Sequence, residues 1–512
     1  MQPIDHNQLE RYVKKILNAR VYEAAIETPL EYAPNLSERT GCRILIKRED
    51  LQPVFSFKIR GAYNRMANLL PGESSQGVIC ASAGNHAQGT ALAARLLGIP
   101  ATIVMPCTTP EIKVAAVKKH GGKHVKIILH GDNFDEAAAF SREKMQQEGL
   151  TYIHPYDDPW VIAGQGTIAR ELLHQCGESI DAVFVPVGGG GLIAGMAAYI
   201  KYLRPKILVI GVEFEESASL AAALQADKRV KLDEVGIFAD GVAVAQVGEL
   251  PWEICRSCVD QVITVSADEI CGGVKDMFDD TRSITEPAGA LALAGVQKYI
   301  RRSGAKGLTF AVVASGANMN FDRLRYVAEQ AEVGEQREAL LAVTIPEKPG
   351  SFLQFCKSLG SRSVTEFNYR YDTSEKANIF VGLQISSSLE KDQLINSLCK
   401  KKYEVLDLTE NSIAKTHIRH MVGGKSSLSM DEVLYSFTFP ERPGALLSFL
   451  KTLGQRWNIS LFHYRNHGAA YGQVLCGFQL LPTEKEDFQS RIRETGYDFR
   501  DESDNPVFRT FL

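Results

Sequence analysis

No stretch of this chain approaches the ~18 consecutive apolar residues that a membrane-spanning helix needs. Its first residues, MQPIDHNQLERYVKKIL, carry charges where a secretory signal would place an apolar run. We therefore expect no membrane partner and a cytoplasmic location. Charge of one sign is missing as well: Lys and Arg total 57 against 61 Asp and Glu, a formal net charge of -4. No electrostatic excess is left to hold a nucleic acid. Cysteine is sparse, ten in 512 residues spread from Cys42 to Cys476, which argues for reduced thiols rather than a disulfide frame. One close pair, Cys255 and Cys258, has the spacing of metal or redox sites, but only Cys271 lies near it. Two small residues on one helical turn is the plainer reading. Disordered, collagen-like and low-complexity compositions are excluded too. With 45% hydrophobic and 23% charged residues, this is a folded, soluble chain long enough for about three or four domains.

What is present is a rhythm. From about residue 40 to 322, short β-branched or apolar runs alternate with helical periodicity, the pattern of an α/β domain with a largely parallel sheet. CRILIKR, GVICAS, ATIVMP, HVKIILH, AVFVPV, KILVIGVE, QVITV and LTFAVVAS read as strands; residues 85–97, 134–147, 192–202 and 288–301 read as helices. In such folds ligands gather beyond the carboxyl ends of the strands.

After Asn320 the pattern changes. DRLRYVAEQAEVGEQRE is charged and helical, and we place a catalytic domain at 1–325 and a linker at 326–337. The remainder repeats itself: PEKPGSFLQFCKSLG at Pro346 aligns with PERPGALLSFLKTLG at Pro440, and FNYR at Phe367 with FHYR at Phe462. Each copy, 338–410 and 432–505, reads βαββαβ, a ferredoxin-like arrangement. Two copies are too few for a solenoid, so they are expected to pair with each other. The Pro-Gly at each helix start fits either a tight turn alone or a close approach to a small ligand.

Four segments bear chemistry. VPVGGGGLIAG, from Val185 to Gly195, sets four glycines between a strand and a helix, where bare N–H groups suit a phosphate; a flexible turn is the plain alternative. It is neither a Walker loop nor GxGxxG. ASAGNHAQG, from Ala81 to Gly89, brings N–H groups and a hydroxyl to a helix start, fit for a carboxylate or simply an N-cap. ASGAN, from Ala314 to Asn318, puts Ser315 at a strand end. In VFSFKIRGAYN, Lys58 is flanked by Phe55, Phe57 and Ile59, and apolar surroundings make a lysine amine neutral and nucleophilic. The plain alternative is a solvated lysine on a surface strip with Arg48 and Arg60.

One ligand answers all four: pyridoxal 5′-phosphate. SFKIRGAYN, SAGNHAQG, GGGGL and SGAN, in this order, resemble the fold-type II pyridoxal-phosphate enzymes, built from two α/β subdomains. The twin tail modules resemble ACT-like amino-acid-sensing domains, and the combination resembles the biosynthetic threonine dehydratases. The resemblance implies that Lys58 holds the cofactor as a Schiff base and later removes the substrate α-proton. It implies phosphate binding by Gly188, Gly189, Gly190, Gly191 and Leu192, and a hydrogen bond from Asn85 to the 3′-oxygen. Ser315 then faces the ring nitrogen and Phe57 packs near the ring. Ser82, Ala83, Gly84 and His86 line the substrate carboxylate. The implied reaction is β-elimination of L-threonine to 2-oxobutanoate and ammonia, inhibited by isoleucine and relieved by valine, in a homotetramer. Effector contacts are expected at Gly350, Ser351, Phe352 and Tyr369, and at Gly444, Ala445, Leu446, Leu447 and Tyr464. Serine racemases resemble this chain but carry a second Ser where Ala83 stands, so elimination is expected over racemisation. A non-catalytic amino-acid sensor is the other alternative, and the intact Lys58, Asn85, glycine run and Ser315 speak against it.

Overall fold

The computed structural model describes residues 6–176, 180–321, 323–334, 338–346, 351–360, 362, 364–369, 376–418, 432–440, 449, 452–453, 456–465 and 471–511. They divide between two compact units, Met1–Ala331 and Glu332–Leu512.

In the first unit every apolar run named above becomes a strand: β2 (Arg43–Arg48), β3 (Val78–Ala81), β4 (Ala101–Met105), β5 (Val125–Leu129), β7 (Ala182–Pro186), β8 (Leu208–Phe214), β9 (Gln261–Val265) and β10 (Thr309–Ala314). Two short strands escaped the pattern, β1 (Leu30–Tyr32) and β6 (Thr151–Tyr152), because two or three residues are too few to show a period. They form two sheets. One has the order β5-β4-β3-β6 and the other β1-β2-β10-β7-β8-β9. All pairings are parallel except that of the edge strand β1 with β2. β3, β4 and β7 are buried along their whole length, as strands covered by helices on both faces must be.

The chain leaves β2, builds the small sheet and returns at β7, so it crosses between the sheets twice. Each crossing carries a helix, Lys58–Ala67 on the way out and Pro159–Gln175 on the way back. Glycines let these helices touch backbone to backbone: a Cβ on Gly164 would lie 2.6 Å from Arg60 O. Beside that contact sits a buried cluster of charge. Arg60 reaches Glu49 through Nε and Nη2, both at 2.8 Å, and Glu171 through Nη2 at 2.9 Å. Lys47 Nζ meets Glu171 Oε2 at 2.6 Å, and Thr28 and Tyr22 donate hydroxyls to the same two carboxylates. Two positive groups thus face two negative ones with their lone pairs occupied. The surface-strip reading of Arg48 and Arg60 is therefore wrong: Arg48 is 3% exposed and Arg60 0%.

In the second unit, the helix Arg323–Gly334 having run through the expected linker, the repeat is visible as two four-stranded antiparallel sheets. The first has the order β12-β13-β11-β14, from β11 (Glu338–Pro346), β12 (Val364–Tyr369), β13 (Lys376–Gln384) and β14 (Glu404–Asp407). The second has the order β16-β17-β15-β18, from β15 (Glu432–Pro440), β16 (Asn458–Arg465), β17 (Tyr471–Gln479) and β18 (Asp498–Asp501). This is the ferredoxin-like order in both copies. Each carries a β-bulge at the same place, between Val364 and Glu366 in one and between Ile459 and Leu461 in the other. Alternation along the inner strands assigns the faces. Leu341, Val343 and Ile345 pack on their own module's helices, as do Tyr435, Phe437 and Phe439 on theirs. Leu340, Ala342, Phe380, Leu434 and Leu475 form one core shared by both modules. The copies pair face to face, closed by two short helices the sequence pattern did not disclose, Ser412–Thr416 and Pro506–Phe511.

Replacing Arg60 by Met takes from Glu49 its buried cation and leaves Glu171 with Lys47 alone. Urea denaturation of Arg60→Met should report a loss of about 3–5 kcal/mol.

Candidate active site

The carboxyl ends of the parallel strands carry the four segments singled out from the sequence. β2 leads to Lys58, β3 to Ser82–Asn85, β7 to the glycine run and β10 to Ser315.

Lys58 is the first residue of its helix. The turn before it is tied to the segment after β10: Phe57 N–H donates to Ser315 O at 3.1 Å, Ala317 N–H to Phe55 O at 2.8 Å, and Ser56 bridges Gly316. Phe57 and Ile59 are buried as expected, but Phe55 is 54% exposed and contributes nothing to the lysine's surroundings. It is a turn residue, with φ of 55° in the left-handed region. The Lys58 amine is enclosed instead by the second crossing, where Nζ donates to Pro155 O at 3.0 Å. Burial pushes its pKa down to about 8, against a smaller upward pull from Glu286.

The glycine run lies against that same crossing. A Cβ on Gly189 would lie 2.3 Å from the Tyr156 ring, one on Gly191 2.8 Å from Tyr156 O, and one on Gly188 2.9 Å from Val242 Cα. Gly190 has φ of 90° and would put a Cβ 2.8 Å from Pro251. No side chain fits at any of the four positions, and the helix Gly191–Leu203 begins there with Leu192 buried behind it. The donor set is bare backbone N–H at a helix N-terminus, which fits the phosphate of pyridoxal phosphate.

Asn85 opens the helix Asn85–Leu97 and is half-buried. Its amide donates to Glu286 Oε1 and accepts from Asn318 Nδ2 at 2.7 Å. Ser82 Oγ accepts from Gly84 N–H at 3.3 Å, and Ala83 and Gly84 are half-buried, leaving backbone N–H groups at the helix start. His86 differs from the other three. Its Nε2 is paired with Ile153 O at 2.8 Å and burial lowers its pKa to about 3, so the ring is a neutral strut between the Asn85 helix and the crossing. Ser315 is buried, with Oγ donating to Ala288 O at 3.3 Å.

Residues 153–156 and Glu286 carry no signal in the sequence, and Asn318, the last residue of the ASGAN segment, carried no role of its own there. The first act through a backbone carbonyl and a ring face, and Glu286 stands where a helix N-cap would ordinarily be acidic. Cys255 and Cys258 lie on the helix Glu249–Cys258, buried in the core, where burial raises both thiols. Of the effector positions, Gly350, Gly444, Ala445, Leu446 and Leu447 lie outside the described residues. Ser351 and Phe352 fall on the helix Ser351–Leu359, Tyr369 on β12 and Tyr464 on β16; the described part of these four is their backbone.

Comparison with known proteins agrees with this geometry. Residues 21–316 match the family model for pyridoxal-phosphate dependent enzymes. Residues 329–418 and 423–512 each match the C-terminal regulatory domain of threonine dehydratase. The chain is 53% identical over 501 residues to the L-threonine dehydratase biosynthetic IlvA of Burkholderia multivorans, covering 98% of this chain and 99% of the relative. It is 55% identical over 502 residues to that of Escherichia coli, covering 98% and 97%. Among solved structures, the processed form of threonine deaminase isoform 2 from Solanum lycopersicum is similar at a TM-score of 0.62 and 49% identity, over 64% of this chain and 95% of that one.

The packing of Tyr156 on Gly189 is testable by itself. Gly189→Ala should cost about 1–3 kcal/mol in urea unfolding. In a Tyr156→Ala background the same change should cost less, with a coupling of at least about 0.5 kcal/mol.

Proposed function

The chain belongs to the biosynthetic threonine dehydratase family of pyridoxal-phosphate dependent enzymes, and we propose that it performs β-elimination on L-threonine, with L-serine as a second substrate. Threonine loses its α-proton and β-hydroxyl as water; water then replaces the amino group, which leaves as ammonia. The product is 2-oxobutanoate, or pyruvate from serine. The observation that carries this reading is Lys58, a buried amine with a pKa near 8, in the same site as a glycine run that admits no side chain.

Bound, pyridoxal 5′-phosphate supplies an aldehyde that condenses with amines and a conjugated ring that draws electrons from the substrate α-carbon. Lys58 Nζ would hold the aldehyde and, as a neutral amine, would take the substrate α-proton. Gly188 to Leu192 would hold the phosphate, Asn85 would donate to the 3′-oxygen, Phe57 would pack near the ring and Ser315 would face the ring nitrogen. A hydroxyl there would not hold a charged ring nitrogen as a carboxylate would, which would favour prompt loss of the β-hydroxyl. Ser82, Ala83 and Gly84 would line the substrate carboxylate at the start of the Asn85 helix. Ala83 has no proton to give to the opposite face, which favours elimination over racemisation.

The duplicated second unit supports feedback control, with isoleucine as inhibitor and valine as its antagonist at the Pro-Gly helix starts of a homotetramer. Each effector acts by binding one global state more tightly than the other. The spread of free cysteines accords with a reducing, cytoplasmic setting.

Assayed for 2-oxobutanoate, the protein should show sigmoidal dependence on threonine, suppression by millimolar isoleucine and recovery with valine. Hyperbolic kinetics indifferent to isoleucine would contradict the regulatory half of this reading. A second measurement concerns Lys58 itself. A lysine with a depressed pKa is neutral above that value, so the rate at which apoprotein takes up the cofactor should rise about tenfold for each unit of increasing pH up to about pH 8 and level off above it. Lys58→Ala should lose the visible absorbance and at least about 10²–10⁴-fold in turnover.

A further inference from the structure

An asparagine amide presents either a donor or an acceptor to a ligand, and at Asn85 the neighbours decide which. Asn318 Nδ2 lies 2.8 Å from Val54 O and 2.7 Å from Asn85 Oδ1. Val54 O only accepts, so the atom of Asn318 beside it must be the amide nitrogen, and the atom of Asn85 in contact with that nitrogen must be its oxygen. The Asn85 nitrogen is then on the other side, where one N–H goes to Glu286 Oε1. One N–H remains.

Glu286 is itself given room at some cost. It is 4% exposed, and an isolated buried carboxylate is expensive. Its backbone N–H donates to Gly316 O at 3.1 Å. A Cβ on Gly316 would lie 2.5 Å from its Oε1, and one on Gly241 would lie 3.6 Å from Oε1 and 3.9 Å from Asn85 Nδ2. Two glycines on separate segments therefore flank the carboxylate where it meets Asn85. Burial, and then the negative charge of Asp240, raise its pKa to about 7, yet Oε1 accepts from Asn85 whether or not the other oxygen carries a proton.

We propose that Asn318 and Glu286 are positioning residues that lock the Asn85 amide in the one orientation able to donate to the 3′-oxygen of the cofactor, an inference that rests on the cofactor reading given above. Turned over, the same amide would set its carbonyl oxygen against that oxygen and repel it.

The test is a titration of apoprotein with pyridoxal phosphate, read by visible absorbance rather than turnover. Glu286→Gln retains a carbonyl to accept from Asn85 and should bind within about threefold of wild type. Glu286→Ala, and Asn318→Asp, which opposes an acceptor to the Asn85 oxygen, should each bind about 10–100-fold more weakly. A double-variant cycle separates orientation from general damage. If these residues act through the amide, Asn318→Asp added to Asn85→Ala should weaken binding no further than Asn85→Ala alone. Additive losses, or a Glu286→Gln as weak as Glu286→Ala, overturn the proposal. The cycle stands on Asn318 alone should Glu286→Ala not fold. Wild-type apoprotein that takes up no cofactor would overturn the underlying reading together with this one, whereas normal uptake with additive variants sinks this inference only.

Discussion

One guanidinium holds the first unit together at the place where its chain crosses from sheet to sheet. Glu49 follows β2, Arg60 stands on the outgoing helix and Glu171 on the returning one, so the pairs Arg60–Glu49 and Arg60–Glu171 tie both crossings to the end of a strand. Lys58 and Arg60 are two residues apart, which on a helix directs them to nearly opposite sides. The anchor therefore grips one side of the helix and leaves the other to the site. Desolvating four charges is tolerable only because they balance and their remaining hydrogen-bonding capacity is used by Thr28, Thr167 and Tyr22.

The same burial, unbalanced, makes the chemistry. Lys47 and Lys58 are both buried lysines. Burial lowers the pKa of both, but at Lys47 the carboxylates of Glu171 and Glu49 oppose it within a neutral cluster, while Lys58 is given a backbone carbonyl and a more distant carboxylate, so its amine falls to about pH 8. Glu286 is treated likewise and rises to about 7. A buried charge answered by its neighbours stiffens the fold; one left half-answered is poised to exchange a proton near neutral pH. The two kinds lie on either side of one helix.

What could be read from the sequence follows from how each feature exerts its effect. The strands were legible because parallel strands covered on both faces need unbroken apolar runs, and the glycine run because four adjacent positions each exclude a Cβ for a different reason. The repeat was legible because two Pro-Gly starts and two aromatic blocks kept their spacing. Pro155 was not, since its contribution is a carbonyl that any residue possesses. Phe55 misled, because adjacency in sequence to Lys58 says nothing of which side of a turn a ring takes, and Arg48 and Arg60 misled because burial of an arginine depends on where the fold sets its carboxylates, Asp50 and Glu31 for Arg48, Glu49 and Glu171 for Arg60. Glu286, and the role of Asn318 within its visible segment, escaped for a related reason. Their roles exist only relative to Asn85, 201 residues from one and 233 from the other.

In the second unit, alternation has a consequence for regulation. Each inner strand commits every other side chain to its own module and the rest to the shared core around Leu340, Phe380, Leu434 and Leu475. Close-packed cores of this kind are not continuously deformable; they keep one arrangement or change to another. A ligand that moves β11 or β13 in one module must disturb side chains on which β15 and β17 of the other also pack. The shared core couples the copies, and by linkage any effect that a ligand on one copy has on binding at the other is returned equally in the reverse direction. Duplication followed by face-to-face pairing thus turns two small sheets into one responsive element, which neither copy, with half its core missing, could be by itself.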